Sequence, residues 1–242
     1  MTVQRGEIMP ISQKSLDFLA ENRFRNSKKW YDEHRAEYLE YVVEPLAAIV
    51  CDLSETMRAI DDRIVCLPKV GGSISRLRRD TRYSNDKSLY RQNVWLYFGR
   101  KDASRVEHPS FYADISPDGI SYGCGYYWAG VSVCEEIRRL VLADDPAFKA
   151  AAKAYESQSV FAFGGETYKK PHYPDEPERK RLWLERRNFF FHREGGKELT
   201  FSPDLSKTLA RDFPLLAPVY RFLLKAETRH TEAHSARPEF EF

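Results

Sequence analysis

The sequence predicts an α+β fold, a single domain in which a mainly antiparallel central sheet carries N-terminal helices and C-terminal helices packed on it. Three observations carry that class. Helix-period apolar patterns fill the chain as far as Asp61. Strand-like runs then cluster in the middle, joined by a hairpin turn instead of alternating regularly with helices. Helical patterns return from Ser132 onward.

Element by element, residues 1–11 read as a loose lead-in. Ser12 is an N-cap for SQKSLDFLAEN, with Leu16 and Leu19 inward and Asn22 as the stop. Asn26 or Ser27 starts a longer helix, KKWYDEHRAEYLEYVVE, whose Trp30, His34, Tyr38, Tyr41 and Val42 share one face. Pro45 lacks an amide hydrogen, so a break or kink is expected there, with Pro45 opening PLAAIVCDLSETMRA. CLPKVGGSISRL reads as punctuation followed by a short strand, and NVWLYFGR as a strand buried on both faces. HPSFYADISPDGISYGCGYY reads as a hairpin turning at Pro117-Asp118-Gly119. Gly123 and Gly125 in the return strand predict a bulge or the close approach of another segment. Ser132 to Glu135 matches a capping box, and Asp145-Pro146 opens AFKAAAKAYES. GGETYKKPHYPDEP is loop, ERKRLWLERR a short basic helix with Leu182 and Trp183 inward, and NFFFHRE a strand. Ser202-Pro203 begins a last helical pair interrupted at Pro214. The domain is expected over 12–227, with 228–242 as a flexible tail.

The totals bound the function. At 242 residues the chain can bury a full core without staples. Its 38 basic residues face 36 acidic ones, which argues against a protein that coats nucleic acid or anionic membrane over its whole surface. The four cysteines form no CxxC pair and have no histidine at zinc-site spacing, so they read as reduced thiols with no metal site. No export signal and no run of membrane-spanning length is found, so no membrane partner and a cytoplasmic location are expected. No cofactor is identified, and the oligomeric state is left open.

Against that near-neutral balance one stretch stands out. RLRRDTRYSNDKSLYRQ, residues 76–92, carries six basic residues and two acidic ones. It lies between strand-like VGGSIS and NVWLYF. Arginine presents a planar fork of permanently charged donors that matches carboxylate or phosphate oxygens in pairs. The expectation is an anion-binding pocket with Arg76, Arg79 and Arg82 as clamps, Asp80 orienting one of them, Lys87 as a point charge and Tyr90 as a hydroxyl donor. The same composition would also suit a solvated loop of surface ion pairs worth about 0–1 kcal/mol each.

The stretch also resembles the signature of domain of unknown function 2461, R-x-x-R-D-T-R-F-S-x-D-K-x-P-Y-K. Arg76, Arg79, Asp80, Thr81, Arg82, Ser84, Asp86, Lys87 and Tyr90 fall on its marks. Tyr83 stands where Phe is usual, Leu89 where Pro is usual and Arg91 where Lys is usual. FRNSKKWYDEHRAEYLEYVVEP is similar to that family's opening helix through Trp30, His34, Arg35, Tyr38 and Pro45. The Tyr- and Gly-rich hairpin and the YKKPHYPDEP loop are similar to later parts, though His172 and a missing Gly depart from the loop's pattern. The resemblance implies a single α+β domain and supplies no activity.

Other candidates are weighed beside it. His34, one turn from Trp30 and Tyr38, suits a general base, or equally a helix histidine donating to a carbonyl. Arg35 would approach the pocket from the same helix. Lys169, Lys170, His172 and Tyr173 suit a flap over an anion or a plain surface loop. Arg179, Lys180, Arg181, Arg186 and Arg187 with Trp183 suit nucleic acid or an amphipathic helix. The reading that results is a pocket for a small anionic ligand bearing phosphate or carboxylate. A hydrolase or transferase is the accompanying reaction class, with His34 or Asp86 moving the proton. The alternatives are a nucleic-acid-binding protein that uses the same arginines with Tyr83, Tyr90 and Trp183, and a non-catalytic scaffold whose charges are structural.

Overall fold

The computed structural model describes residues 11–82, 85–101, 103 and 105–235, with side chains as far as residue 231. In chain order the helices α1 (Gln13–Arg25), α2 (Lys28–Glu33), α3 (Arg35–Tyr38) and α4 (Glu44–Ile60) precede strands β1 (Val94–Phe98), β2 (Ser110–Ser116) and β3 (Gly119–Gly125). Then come α5 (Val131–Leu142), α6 (Pro146–Glu156), β4 (Ala162–Gly164), α7 (Glu178–Leu184), β5 (Phe190–Gly195), α8 (Lys197–Thr200), α9 (Leu205–Asp212) and α10 (Ala217–Ser235). The strands make one antiparallel sheet in the order β1-β2-β3-β5-β4, so the α+β class is as the sequence predicts.

The chain gathers into two compact units. One takes the described residues of Met1–Phe98, Tyr112–Tyr122 and Glu194–Arg211. The other takes Gly99–Phe111, Gly123–Arg193 and the described residues of Asp212–Phe242.

In the first unit, Ser12 begins α1 as predicted, its amide N–H donating to the Ser15 hydroxyl at 3.1 Å. The helix does not stop at Asn22. That residue lies fully buried inside it, and Asn26 in the left-handed region (φ 47°) ends it. Ser27 then caps α2, its hydroxyl accepting the Trp30 N–H at 3.3 Å. The predicted long helix is interrupted at His34 (φ −105°, ψ 20°). Ahead of Pro45 the chain forms a π-helical turn, Leu39–Val43, in place of a sharp kink. Pro45 cannot donate back up the ladder, and the wider turn absorbs that missing bond. α4 packs on β1. Its Leu46, Val50, Leu53 and Met57 are buried, as are Val94, Leu96 and Phe98 of β1. β1 alternates between buried and half-buried residues and is not covered on both faces as expected. The short strand expected at the end of CLPKVGGSISRL is instead a looped segment that bonds beside β1, with Ser75 N–H to Trp95 O at 2.9 Å and Tyr97 N–H to Ser73 O at 2.8 Å.

In the second unit, Gly123 and Gly125 lie under β5. A Cβ on either would overlap the backbone of Phe191 or Phe189, which is the close approach the sequence predicts. α5 starts two residues before the predicted capping box, from Gly130, with no side-chain cap. Asp145 caps α6 through Ala147 N–H at 2.8 Å. Trp183 and Leu184 of α7 are buried, so Leu184 takes the inward place assigned to Leu182. α10 packs on α5 and α6 and continues through residues 228–235, where a loose tail was expected. Residues 236–242, and all of the lead-in except Ile11, lie outside the described residues.

Candidate functional site

The basic stretch folds as a hairpin-like loop. Arg79 N–H donates to Leu89 O at 2.8 Å and Arg91 N–H to Leu77 O at 3.0 Å, and Arg78 and Tyr90 form a bridge between them. The described residues of 80–88 therefore extend from a short antiparallel base. Tyr83 and Ser84 lie outside the described residues.

The end of α1 is stitched to this loop from a distance in sequence. Asn26 Oδ1 accepts the Leu89 N–H at 2.6 Å, and Arg23 Nη1 donates to Tyr90 O at 3.0 Å. The other Arg23 nitrogen, Nη2, donates to Asp86 Oδ2 at 2.9 Å, across 63 residues of chain. Arg79 Nη1 donates to the same Oδ2. Two guanidinium groups thus meet on one carboxylate oxygen. The other oxygen, Oδ1, accepts from Ser88 N–H at 2.9 Å and Ser88 Oγ–H at 2.5 Å. Ser88 first, then Arg23 and Arg79, holds the Asp86 carboxyl well below the usual carboxylate range. A carboxylate held ionised in this way is a weak base and a fixed anion.

The remaining candidates fall around this nucleus or apart from it. Asp80 pairs with Arg82, which donates from its backbone at 3.1 Å, from Nε at 3.0 Å and from Nη2 at 2.6 Å. Those bonds lower the Asp80 carboxyl to about 2. Both side chains of this pair are well exposed. Lys87 Nζ donates to Thr81 O at 2.9 Å, inside the loop. Arg76 and Arg78 are exposed, and Arg76 runs alongside Gly71 instead of reaching Asp86. Tyr90 is 3% exposed, its ring stacked on Tyr31 with centroids 5.2 Å apart, so it serves the core under the loop. Burial pushes both phenols up, with the charge of Arg35 beside Tyr31 pulling the other way. Arg35 itself is exposed. The His34 ring stacks on Trp30 at 4.1 Å, and its Nδ1 lies 2.8 Å from the Trp30 carbonyl. A carbonyl only accepts, so Nδ1 carries the hydrogen and Nε2 of the neutral ring is the acceptor.

Sequence reasoning missed Arg23, Asn26 and Ser88. Arg23 had one local signal, as a cation in the last turn of a helix, which says nothing of a partner so far along the chain.

In the second unit, the loop after β4 closes on its own acid. The His172 and Tyr173 N–H groups both donate to the Glu185 carboxylate, at 3.0 and 2.8 Å to Oε1. The His172 ring stacks on Tyr168 at 3.9 Å. Arg138 lies over the same Tyr168 ring, 5.2 Å from its centroid. On α7, Arg179 pairs with Glu156 at 2.6 Å and Lys180 with Asp144 at 2.7 Å. Trp183 is 1% exposed and cannot stack on bases, which removes it from the nucleic-acid reading. Among the described residues, no group of three or more His, Cys, Asp or Glu is placed to hold a metal ion, and no helix is long and apolar enough to cross a membrane.

A family model described as a conserved hypothetical protein, DUF2461, matches residues 14–222. A comparison with the curated proteins finds no match.

Proposed function

The chain belongs to the DUF2461 family, and on that premise we propose that it binds a small anionic ligand, phosphate- or carboxylate-bearing, at a clamp formed by Arg23 and Arg79. The observation that carries this reading is the meeting of both guanidinium groups on Asp86 Oδ2. Two guanidiniums converge on this one carboxylate, and 43% exposure of the Asp86 side chain leaves the meeting point open to solvent. Lys87, Arg78 and Arg82 of the same loop add positive charge, while Asp80 offsets part of that through Arg82. Two forked donors aimed at one point suit an oxyanion better than any neutral group.

The reading is one of binding. Hydrolysis or group transfer would use the same clamp to stabilise developing negative charge. It would also need a proton acceptor, for which His34 Nε2 is the group to test and Asp86 is unsuited.

Thermal-shift titration tests the clamp. Inorganic phosphate, pyrophosphate and citrate are screened against the wild-type chain and Arg79→Gln. A ligand at about 100 times its dissociation constant adds about 2.7 kcal/mol, which for this size is about 5–10 °C. The wild type is expected to shift and Arg79→Gln is not. A flat screen for the wild type would sink the reading and leave the charges as scaffold.

A second reading is favoured by the exposure of Arg76, Arg78, Arg82 and Lys87 together, which suits an extended polyanion such as single-stranded nucleic acid. Salt separates the two. A groove meeting six phosphates gives a log–log slope of roughly −4 to −5, whereas the clamp alone gives a much shallower one.

A further inference from the structure

We propose that Asp86 is the resident competitor of the clamp, and that the ligand able to displace it carries a phosphoryl group and not merely a carboxylate. The inference rests on the anion-clamp reading above. Its support is the way the two Asp86 oxygens divide their partners. Oδ1 is tied to Ser88 through both the backbone N–H (2.9 Å) and the hydroxyl (2.5 Å), while Oδ2 alone faces Arg23 and Arg79. Oδ2 can therefore leave the arginines without the side chain losing its anchor. A displaced Asp86 stays beside the clamp and competes at a high effective concentration.

That arrangement discriminates by chemistry. An external monocarboxylate would make the same kind of bonds that Asp86 already makes without any loss of translational freedom, so it gains nothing by exchange. A phosphoryl dianion brings twice the charge and three acceptor oxygens, enough to engage both guanidinium forks at once. The Ser88 bonds keep Asp86 ionised in ordinary buffers, so the competitor is not removed by mild acid. Ligand affinity is reduced by the fraction of molecules in which the clamp is open.

Isothermal titration with inorganic phosphate and, separately, with acetate reads this directly, on wild type, Asp86→Asn, Ser88→Ala and Asp80→Asn. The wild type is expected to bind phosphate and not acetate. Asp86→Asn is expected to bind phosphate about tenfold tighter, as for a clamp that is otherwise open about a tenth of the time, and to bind acetate measurably. Ser88→Ala, which keeps the charge and loosens the tether, is expected to tighten phosphate binding by a smaller factor. It carries the test should Asp86→Asn fail to fold. Asp80→Asn removes a nearby charge that does not touch the clamp, and controls for the field alone. Phosphate binding that is equal or weaker in Asp86→Asn, or tightened as much by Asp80→Asn, would overturn the competitor while leaving the clamp. Acetate binding to the wild type as tightly as phosphate would overturn the phosphoryl preference. No binding by any of the four proteins would overturn the clamp itself, and the competitor with it.

Discussion

Two stretches of this chain carry clustered bases, the loop at 76–92 and the loop-helix at 165–187, and they handle their charge in opposite ways. In the second, each base takes an acid: Arg179 and Lys180 recruit Glu156 and Asp144 from outside the stretch, and Arg187 takes Glu166 from within it. Glu185, a further acid within the stretch, is spent on backbone N–H groups. In the first, the traffic runs the other way, and the acid Asp86 recruits a further base, Arg23, from α1. The lesson is that a run of like charge carries no meaning until its counter-charges are located. One-to-one pairing yields a solvated structural surface, and two guanidiniums converging on one carboxylate mark a defined point on the surface.

The largest effect is expected from Arg138→Ala. This arginine is 7% exposed, and it donates to Leu184 O at 3.0 Å and Arg186 O at 2.7 Å, fastening the end of α7. Leaving those carbonyls unpaired should cost about 2–3 kcal/mol in urea denaturation, with no change in anion binding. An effect on anion binding would mean that the second stretch is not purely structural.

Glu185→Ala comes next. Loss of the shared acceptor for His172 and Tyr173 N–H should cost about 1–2 kcal/mol and speed tryptic cleavage after Lys169. Unchanged proteolysis would show that ring stacking on Tyr168 alone holds the loop.

The smallest effect is the acid limb of the first stretch. Asp80 and Asp86 have folded-state values depressed below the ordinary one of about 3.9, by Arg82 in one case and by Ser88 with the two arginines in the other. Depressed carboxyls stabilise the fold above their unfolded values and lose that contribution as pH falls through the folded ones. Thermal midpoints should therefore drop between about pH 4 and pH 2. Because both groups are exposed, the drop should be slight and should shrink with added salt. Asp80→Asn with Asp86→Asn should flatten that share of it, and an unaltered acid limb would argue that neither carboxylate is held as the geometry indicates.

What the sequence made legible was local. The hairpin turn at Pro117-Asp118-Gly119 and the cap at Asp145 each depend on residues within a few positions of one another, and each is found in the structure, while Gly123 marked a close approach without saying that Phe191 would make it. Readings that needed distant partners failed. Asn22 has the chemistry of a helix stop, yet the apolar face of α1 continues past it, and the stop falls to Asn26. Leu182 and Leu184 are equally apolar in the sequence, and only the tertiary environment of α7 decides which turns inward. At the candidate site, Asp86 was visible and Arg23 was not, because nothing in a linear pattern marks a contact that spans 63 residues.

Asn26 joins two tasks that are usually separate. Its backbone terminates α1 at φ 47°, and its side-chain oxygen grips the Leu89 amide at 2.6 Å. Fraying of that final helical turn would withdraw the anchor on which the arginine loop is moored, so breathing at a helix terminus becomes repositioning of the loop. Glycine at this position would still permit the left-handed end but could not hold the loop, which makes Asn26→Gly the variant that severs secondary structure from docking.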